Sequence, residues 1–292
     1  MHISSLEKLG VSIKENHGYL ECEVQECLRG ANISLPFPSV GATENILLAA
    51  CTAEGETLIH NPAREPEIED LINFLNAAGA QIKICDDGVI AIKGVKSLDR
   101  VDYNVIPDRI AAATYLCCAA ITGGEILLRD VVPGHLTPIY PLLEETGCSI
   151  DLGQSEISLK APERLHAPRL VRTMPHPGFP TDAQSPLMSL CCVARGTSVF
   201  VENIFESRYK HVGELSRMGA RIKVEGRVAV IEGVNSLHSA PVVCTDLRGG
   251  AALVAAALAA EGVSEISEIS HIERGYQNFD KNLSSLGAII SS

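Results

Sequence analysis

Tryptophan is absent from this 292-residue sequence, and aromatic residues make up only 4% of it. Stacking platforms for bases or sugar rings are therefore scarce. Positive charge is also in deficit: 24 Lys and Arg stand against 36 Asp and Glu, a formal net charge of −12. Nucleic acid needs a basic face, so it is excluded as a main partner. A small anion is not, because a few arginines focused in a cleft override the global sign. No apolar run approaches the ~20 residues of a membrane span; the most hydrophobic stretch, 251–260, is a short alanine-based helix. The first twenty residues carry His2, Glu7, Lys8, Lys14 and Glu15 where a signal peptide needs an apolar block. The expectation is a cytoplasmic chain with no membrane partner.

Ten cysteines are present, but no CxxC, and the Cys22–Cys27 spacing has no second pair to complete a zinc site. Cys117–Cys118 and Cys191–Cys192 are adjacent pairs inside alanine- and leucine-rich stretches, where cysteine serves as a small hydrophobe. Reduced, buried thiols and no metal or other cofactor are expected. With 46% apolar and 21% charged residues, the chain is globular and long enough for two domains.

What the sequence does have is a repeat. The pattern apolar–x–x–apolar–Gly–small–x–Ile reads LEKLGVSI, LNAAGAQI, LEETGCSI, LSRMGARI and LSSLGAII, with Gly10, Gly79, Gly147, Gly219 and Gly287 spaced by 69, 68, 72 and 68 residues. Each glycine ends a helical period and opens an alternating one, as a left-handed helix C-cap requires. Interleaved with these are four apolar helices, in SVGATENILLAACTAEG, PDRIAAATYLCCAAITGG, PTDAQSPLMSLCCVARG and TDLRGGAALVAAALAAEG. Each opens on a capping or proline signal and runs to a glycine and a strand. One unit reads helix, strand, helix, strand, strand, closing in hairpins at Asp87–Gly88 and Glu225–Gly226. Periods of this size are supersecondary units that bury their apolar faces against one another. Helices apolar on every side, such as the one through Ile46–Ala50, belong inside a shell of strands. The predicted fold is an α/β (α+β) inverse barrel of repeated units of about seventy residues, helices inside and sheets outside. The sequence opens on the tail of a second-type helix and closes one strand after another. It is therefore expected to be cut inside a repeat at both ends, and to need strands from elsewhere.

Several loops carry a resemblance. FPSVGATEN, NPAREPEIEDLINFL, VIPDRI, PHPGFPTDAQ, NIFESRYKHVGELSRMGA, TDLRGGAAL and HIERGYQNF are similar, co-linearly from His2 onward, to the bacterial UDP-N-acetylglucosamine enolpyruvyl transferases. The resemblance implies the inverse α/β barrel of that family, with residues 1–106 as part of a UDP-sugar-side domain and 107–292 as most of a second domain. It implies transfer of the enolpyruvyl group of phosphoenolpyruvate to the 3'-hydroxyl of UDP-N-acetylglucosamine with release of phosphate, in peptidoglycan synthesis. That chemistry needs a base for the hydroxyl, an acid for the vinyl carbon and cations for carboxylate and phosphate, and no cofactor.

On the residues alone, Thr181 or Asp182 of FPTDAQ reads as a helix cap. The resemblance implies that Asp182 contacts and deprotonates the sugar hydroxyl. Arg248 and Arg274 correspond to phosphoenolpyruvate-binding arginines, a task suited to the two-pronged guanidinium. Arg248 also lies at a helix N-terminus, which favours anions. Asp246 reads as the cap of that helix and as a group that orients Arg248. Ser39, Val40 and Gly41 match the nucleotide-diphosphate loop, or form an ordinary N-cap; where many relatives carry lysine, this chain has Phe37. Ile204 matches a uridine contact, with Phe205 beside it. Arg64, Glu65, Glu67, Arg109, His176 and Arg208 lie in matching segments; Glu65 and Glu67 also read as first-turn acids, and His176 as structural.

The family's Lys–Asn pair, its acid loop and two further arginines correspond to nothing in this sequence. The alternatives are a non-catalytic UDP-sugar-binding or regulatory module, or a truncated remnant. The expected outcome is that this chain alone releases no phosphate from phosphoenolpyruvate plus UDP-N-acetylglucosamine. A separate N-terminal segment of roughly 120 residues, about one and two-thirds repeats, is expected to restore release; a phosphate assay on each form checks this.

Overall fold

A computed structural model describes residues 1–291 and divides into two compact units, Met1–Ile106 and Pro107–Ser292. In the first, α1 (His2–Lys8) leads to a hairpin of β1 (Val11–Asn16) and β2 (Tyr19–Val24). There follow β3 (Asn32–Ser34), α2 (Val40–Ala50), β4 (Glu56–His60), α3 (Pro66–Ala77), β5 (Gln81–Ile84) and β6 (Ile90–Lys93). The sheet order is β3-β4-β6-β5, with β3 parallel to β4 across α2 and the remaining pairs antiparallel. Ile46 and Leu47 of α2 are fully buried against Ile33, Ile59 and Ile92 of this sheet. An apolar helix on an apolar sheet face is the two-layer solution that both demand.

The second unit repeats this plan. It runs α4 (Arg109–Ile121), β7 (Glu125–Arg129), α5 (Tyr140–Glu145), β8 (Ser149–Leu152), β9 (Glu156–Lys160) and β10 (Leu170–Arg172). It continues through α6 (Thr181–Val193), β11 (Thr197–Val201), α7 (Val212–Arg217), β12 (Arg221–Glu225) and β13 (Val228–Glu232). It ends in β14 (Leu237–His238), β15 (Pro241–Val243), α8 (Leu247–Ala259), β16 (Ala260–Glu261), β17 (Glu265–Ser267), α9 (Ser270–Glu273) and α10 (Phe279–Ser285). Helices α4, α6 and α8 pack on one another at its centre. Around them stand the sheets β7-β9-β8 and β10-β11-β13-β12 and the parallel pairs β14-β16 and β15-β17. Leu116, Leu187, Leu190, Phe200, Leu253 and Ile231 are fully or almost fully buried in one core. A serine inside that core is satisfied: Ser189 Oγ donates to Ala252 O at 2.7 Å, stitching α6 to α8. This is the helices-inside, sheets-outside arrangement of the inverse barrel.

The five repeat glycines all lie at positive φ, between 92° and 105°, immediately past their helices. Strands follow four of them; residues 288–291, past Gly287, form none, because no neighbouring strand pairs with them. The short strands β3, β10 and β15 were not foreseen, being only three residues long. They convert each helix α2, α6 and α8 into a parallel strand–helix–strand crossover. The second hairpin reverses at Gly226–Arg227, one residue beyond the predicted turn. Of the ten cysteines, seven are buried, Cys27 and Cys85 are half-buried and Cys22 is exposed; none is bridged.

A repeat contact invisible in the sequence closes each four-stranded sheet. At Gly94 and Gly233 an added Cβ falls 1.6 Å from the carbonyl oxygen of Ala53 and of Ala194, respectively. Gly94 N–H donates to Gly55 O and Gly233 N–H to Gly196 O, both at 3.0 Å. Gly233→Ala is expected to destabilise the second unit by about 3 kcal/mol, as overpacking against backbone does. Gly134→Ala, with open space around it, is expected to cost less than about 0.5 kcal/mol. Urea-unfolding midpoints of the two variants check this.

Candidate active site

The N-terminal turns of α6 and α8 in the second unit open onto a cavity of about 380 Å³. Asp182, Phe205, Ser207, Arg208, Lys210, Asp246, Leu247, Arg248 and Arg274 line it. At its floor the Asp182 carboxylate lies between two guanidiniums. Arg208 Nη2 donates to Oδ1 in a close ion pair, and Arg248 Nη2 lies 3.5 Å from Oδ2. The two arginine side chains are 12% and 14% exposed, whereas Asp182 is 41% exposed and faces the cavity. Cations held partly out of water keep a strong local field, and the excess of Arg208, Lys210, Arg248 and Arg274 over Asp182 and Asp246 makes the cavity locally positive.

Each arginine is held from behind. Arg208 Nε donates to Thr181 Oγ1 at 3.1 Å, and its guanidinium lies 4.8 Å from the centre of the Phe205 ring. Arg248 Nη1 donates to the Tyr276 hydroxyl at 3.2 Å, and that hydroxyl bonds Thr114 of α4 at 2.9 Å. Tyr276 stacks on Phe279, with ring centres 4.8 Å apart. Burial opposes the charge on Arg248, but Tyr276 and Asp182 outweigh it and raise its pKa.

Two readings of the local chemistry change. Neither Thr181 nor Asp182 caps α6: the N-cap is Pro180, which has no side chain to offer, and both residues are turned to Arg208 instead. Asp246 does cap α8, its Oδ1 accepting from Arg248 N at 3.1 Å and Gly249 N at 2.9 Å, but it orients the backbone of Arg248. The guanidinium is oriented by Tyr276, which stood in a quoted motif, HIERGYQNF, without being singled out. Lys210 and Ser207 were also missed; a lysine in an exposed 3-10 turn gives no sequence signal.

Arg274 ends α9 and lines the same cavity. Arg109, the first residue of α4, is buried. Ile204 N–H is bonded to the Glu202 carboxylate at 2.8 Å. The other singled-out residues lie in the first unit. Ser39 caps α2 through Ala42 N at 3.4 Å, with Val40 and Gly41 forming the first turn. At Gly41 an added Cβ comes to 3.0 Å from the His2 ring, which itself bonds Asn45. Thr43 of this helix accepts from Ala63 N at 3.0 Å, tying the NPAREP loop to it. Glu65 precedes α3 and takes Arg64 N at 3.0 Å, Glu67 lies in its first turn, and Phe37 stays partly exposed.

Comparison with known proteins gives a consistent picture. The sequence model of the family described as EPSP synthase (3-phosphoshikimate 1-carboxyvinyltransferase) matches residues 1–283. A UDP-N-acetylglucosamine 1-carboxyvinyltransferase 2 of Caldanaerobacter subterraneus subsp. tengcongensis is 50% identical over 290 residues, covering 99% of this chain and 69% of that protein. A UDP-N-acetylglucosamine 1-carboxyvinyltransferase 1 of Symbiobacterium thermophilum is 51% identical, covering 99% and 66%. Among solved structures, the enolpyruvyl transferase NikO of Streptomyces tendae superposes with a TM-score of 0.90 at 27% identity, covering 99% of this chain and 71% of that one. An EPSP synthase of Acinetobacter baumannii shares the fold, with a TM-score of 0.76 at 21% identity, covering 99% and 70%.

Directly behind the cavity, His211 is fully buried, its Cβ side packed against Gly249 of α8. Burial lowers its pKa to about 4, against the opposing pull of Asp246. The unfolded chain therefore takes up a proton near the ordinary value of about 6.5, which the folded chain refuses until about pH 4. Stability from this group is complete above pH 6.5 and is lost as pH falls towards 4, by about 3 kcal/mol in all. His211→Gln is expected to flatten the fall in melting temperature between pH 7 and pH 4.5; calorimetry at the two pH values checks it.

Proposed function

The chain belongs to the EPSP synthase family of enolpyruvyl transferases, and from that premise we propose its acceptor and the residues that serve it. The acceptor is the 3'-hydroxyl of UDP-N-acetylglucosamine, the donor is phosphoenolpyruvate, and the second product is phosphate. Names borne by relatives at 50% and 51% identity support this substrate over a shikimate-type acceptor. The reaction then belongs to peptidoglycan synthesis and to the cytoplasm; among the described residues no helix is long and apolar enough to cross a membrane.

One observation carries the assignment of roles: an exposed carboxylate, Asp182, shares a positive cavity with Arg208, Arg248 and Arg274. Asp182 takes the proton of the sugar hydroxyl as its oxygen attacks C2 of phosphoenolpyruvate, while an acid outside the residues placed at this cavity gives its proton to C3. The tetrahedral carbon then expels phosphate and returns a proton from C3 to that group, restoring the vinyl group. Arg248 and Arg274 bind the phosphoenolpyruvate anion, and Arg208 aims Asp182. Within the first unit, the N-terminal turn of α2 at Ser39, Val40 and Gly41 suits a diphosphate, and within the second the Ile204 backbone suits a uridine. Arg109, Glu65 and Asp246 support these groups.

Asp182→Asn keeps size and one of the two acceptor oxygens but removes the base. The assay compares the chain with its fusion to the part of the Caldanaerobacter relative that it does not cover. In whichever form turns over, the substitution is expected to lower kcat by roughly 10²–10⁴-fold while UDP-N-acetylglucosamine binding by calorimetry persists. Undiminished turnover contradicts the role of Asp182. Binding of the nucleotide sugar without phosphate release in either form favours a UDP-sugar-binding module.

A further inference from the structure

The most deeply buried carboxylate beside the cavity is not among the groups assigned to the reaction. Glu202, just past β11, is 1% exposed, and an ionised carboxylate is costly to bury unless it is heavily hydrogen-bonded. It is so bonded. Oε1 accepts from Thr173 Oγ1 at 2.9 Å, Ile204 N at 2.8 Å and Phe205 N at 3.0 Å, and Oε2 accepts from Thr181 Oγ1 at 3.0 Å. These donors belong to three segments: the end of β10, the loop entering the cavity at Phe205, and the first turn of α6. The Thr181 hydroxyl thus donates to Glu202 and accepts from Arg208 Nε at 3.1 Å, while Arg208 Nη2 grips Asp182. Phe205, whose N–H Glu202 also holds, lies beneath the same guanidinium.

We propose that Glu202 is a positioning residue: acting through the Thr181 hydroxyl and the Phe205 amide, it fixes the Arg208 guanidinium and hence the setting of Asp182 in the cavity. The direction of the chain of bonds supports this. A hydroxyl that donates to a carboxylate is a better acceptor, so Thr181 presents Arg208 with a polarised oxygen. With Nε occupied behind, the guanidinium directs its outer edge at Asp182. A merely structural stitch needs Glu202 only to join β10 to the loop; it does not need the arginine to be held through Thr181. The role in turnover rests on the reaction proposed above, but the geometry of the relay does not.

The test uses the full chain and three variants, Thr181→Val, Thr181→Ser and Glu202→Gln. The Arg208 Nε–Hε signal, assigned by its loss in Arg208→Lys, is followed by NMR for its exchange with water. Thr181→Val keeps the shape and removes the hydroxyl, so exchange is expected to accelerate at least roughly tenfold. Glu202→Gln is expected to accelerate it as well, and Thr181→Ser to restore the slow rate. In whichever form turns over, the chain or its fusion, Thr181→Val is expected to lower kcat roughly tenfold, with KM for the nucleotide sugar unchanged, as a misplaced catalytic group does. An Arg208 signal in Thr181→Val that exchanges as slowly as in the wild type overturns the proposal. So does loss of the slow signal in Thr181→Ser, or a fall in kcat/KM carried wholly by KM. A wild type that shows the slow signal but turns over neither alone nor as the fusion contradicts the reaction and not the relay, which the exchange rates still decide.

Discussion

Everything at the cavity depends on one electrostatic arrangement, a carboxylate held between two guanidiniums that are themselves held from behind. Asp182 cannot be read alone: Arg208 and Arg248 set its direction, and Thr181 and Tyr276 set theirs. Arginines left in open solvent form ion pairs worth little; these two side chains are only 12% and 14% exposed. Their cost of burial is offset by hydrogen bonds from both ends, so the positive field stays in place before any anion arrives. An overall charge of −12 does not weaken it, because the field is local.

The repeat supplies that arrangement. Each unit ends a helix on a left-handed glycine, lays down strands and returns to start an apolar helix whose first turn reaches the edge of the layer. Asp182 and Arg248 open such helices, α6 and α8, which pack side by side, so that their first turns share one cavity. In the second unit α4, α6 and α8 are buried along most of their length because strands enclose them, whereas α2 leaves Asn45 and Leu48 exposed on the face away from its sheet. Close backbone contacts at Gly94 and Gly233 recur two repeats apart and clamp the sheets in the same way in both units.

Much of this was legible in the sequence. The glycine spacing, the alanine-rich helices and the hairpins are local patterns, and local patterns survive folding. The three-residue strands were not legible, since a run as short as Asn32–Ser34 carries no period; its identity comes from a partner 26 residues away. Asp182, Arg248 and Arg274, singled out from characteristic motifs, all line the cavity. The residues that orient them were not singled out for that role, because Tyr276, Thr181 and Glu202 act through contacts that no spacing encodes. The reading of Asp182 as a cap failed for a local reason: Pro180 takes the N-cap position, which freed the two following side chains for Arg208.

The central claim is that the positive cavity in the second unit receives the phosphoenolpyruvate anion. A crystal structure of the full chain soaked with phosphoenolpyruvate tests it most directly. The account predicts the anion within hydrogen-bonding distance of the Arg248 and Arg274 guanidiniums, with Asp182 alongside and open to a second substrate. An anion bound elsewhere, with Arg248 and Arg274 untouched, would contradict it.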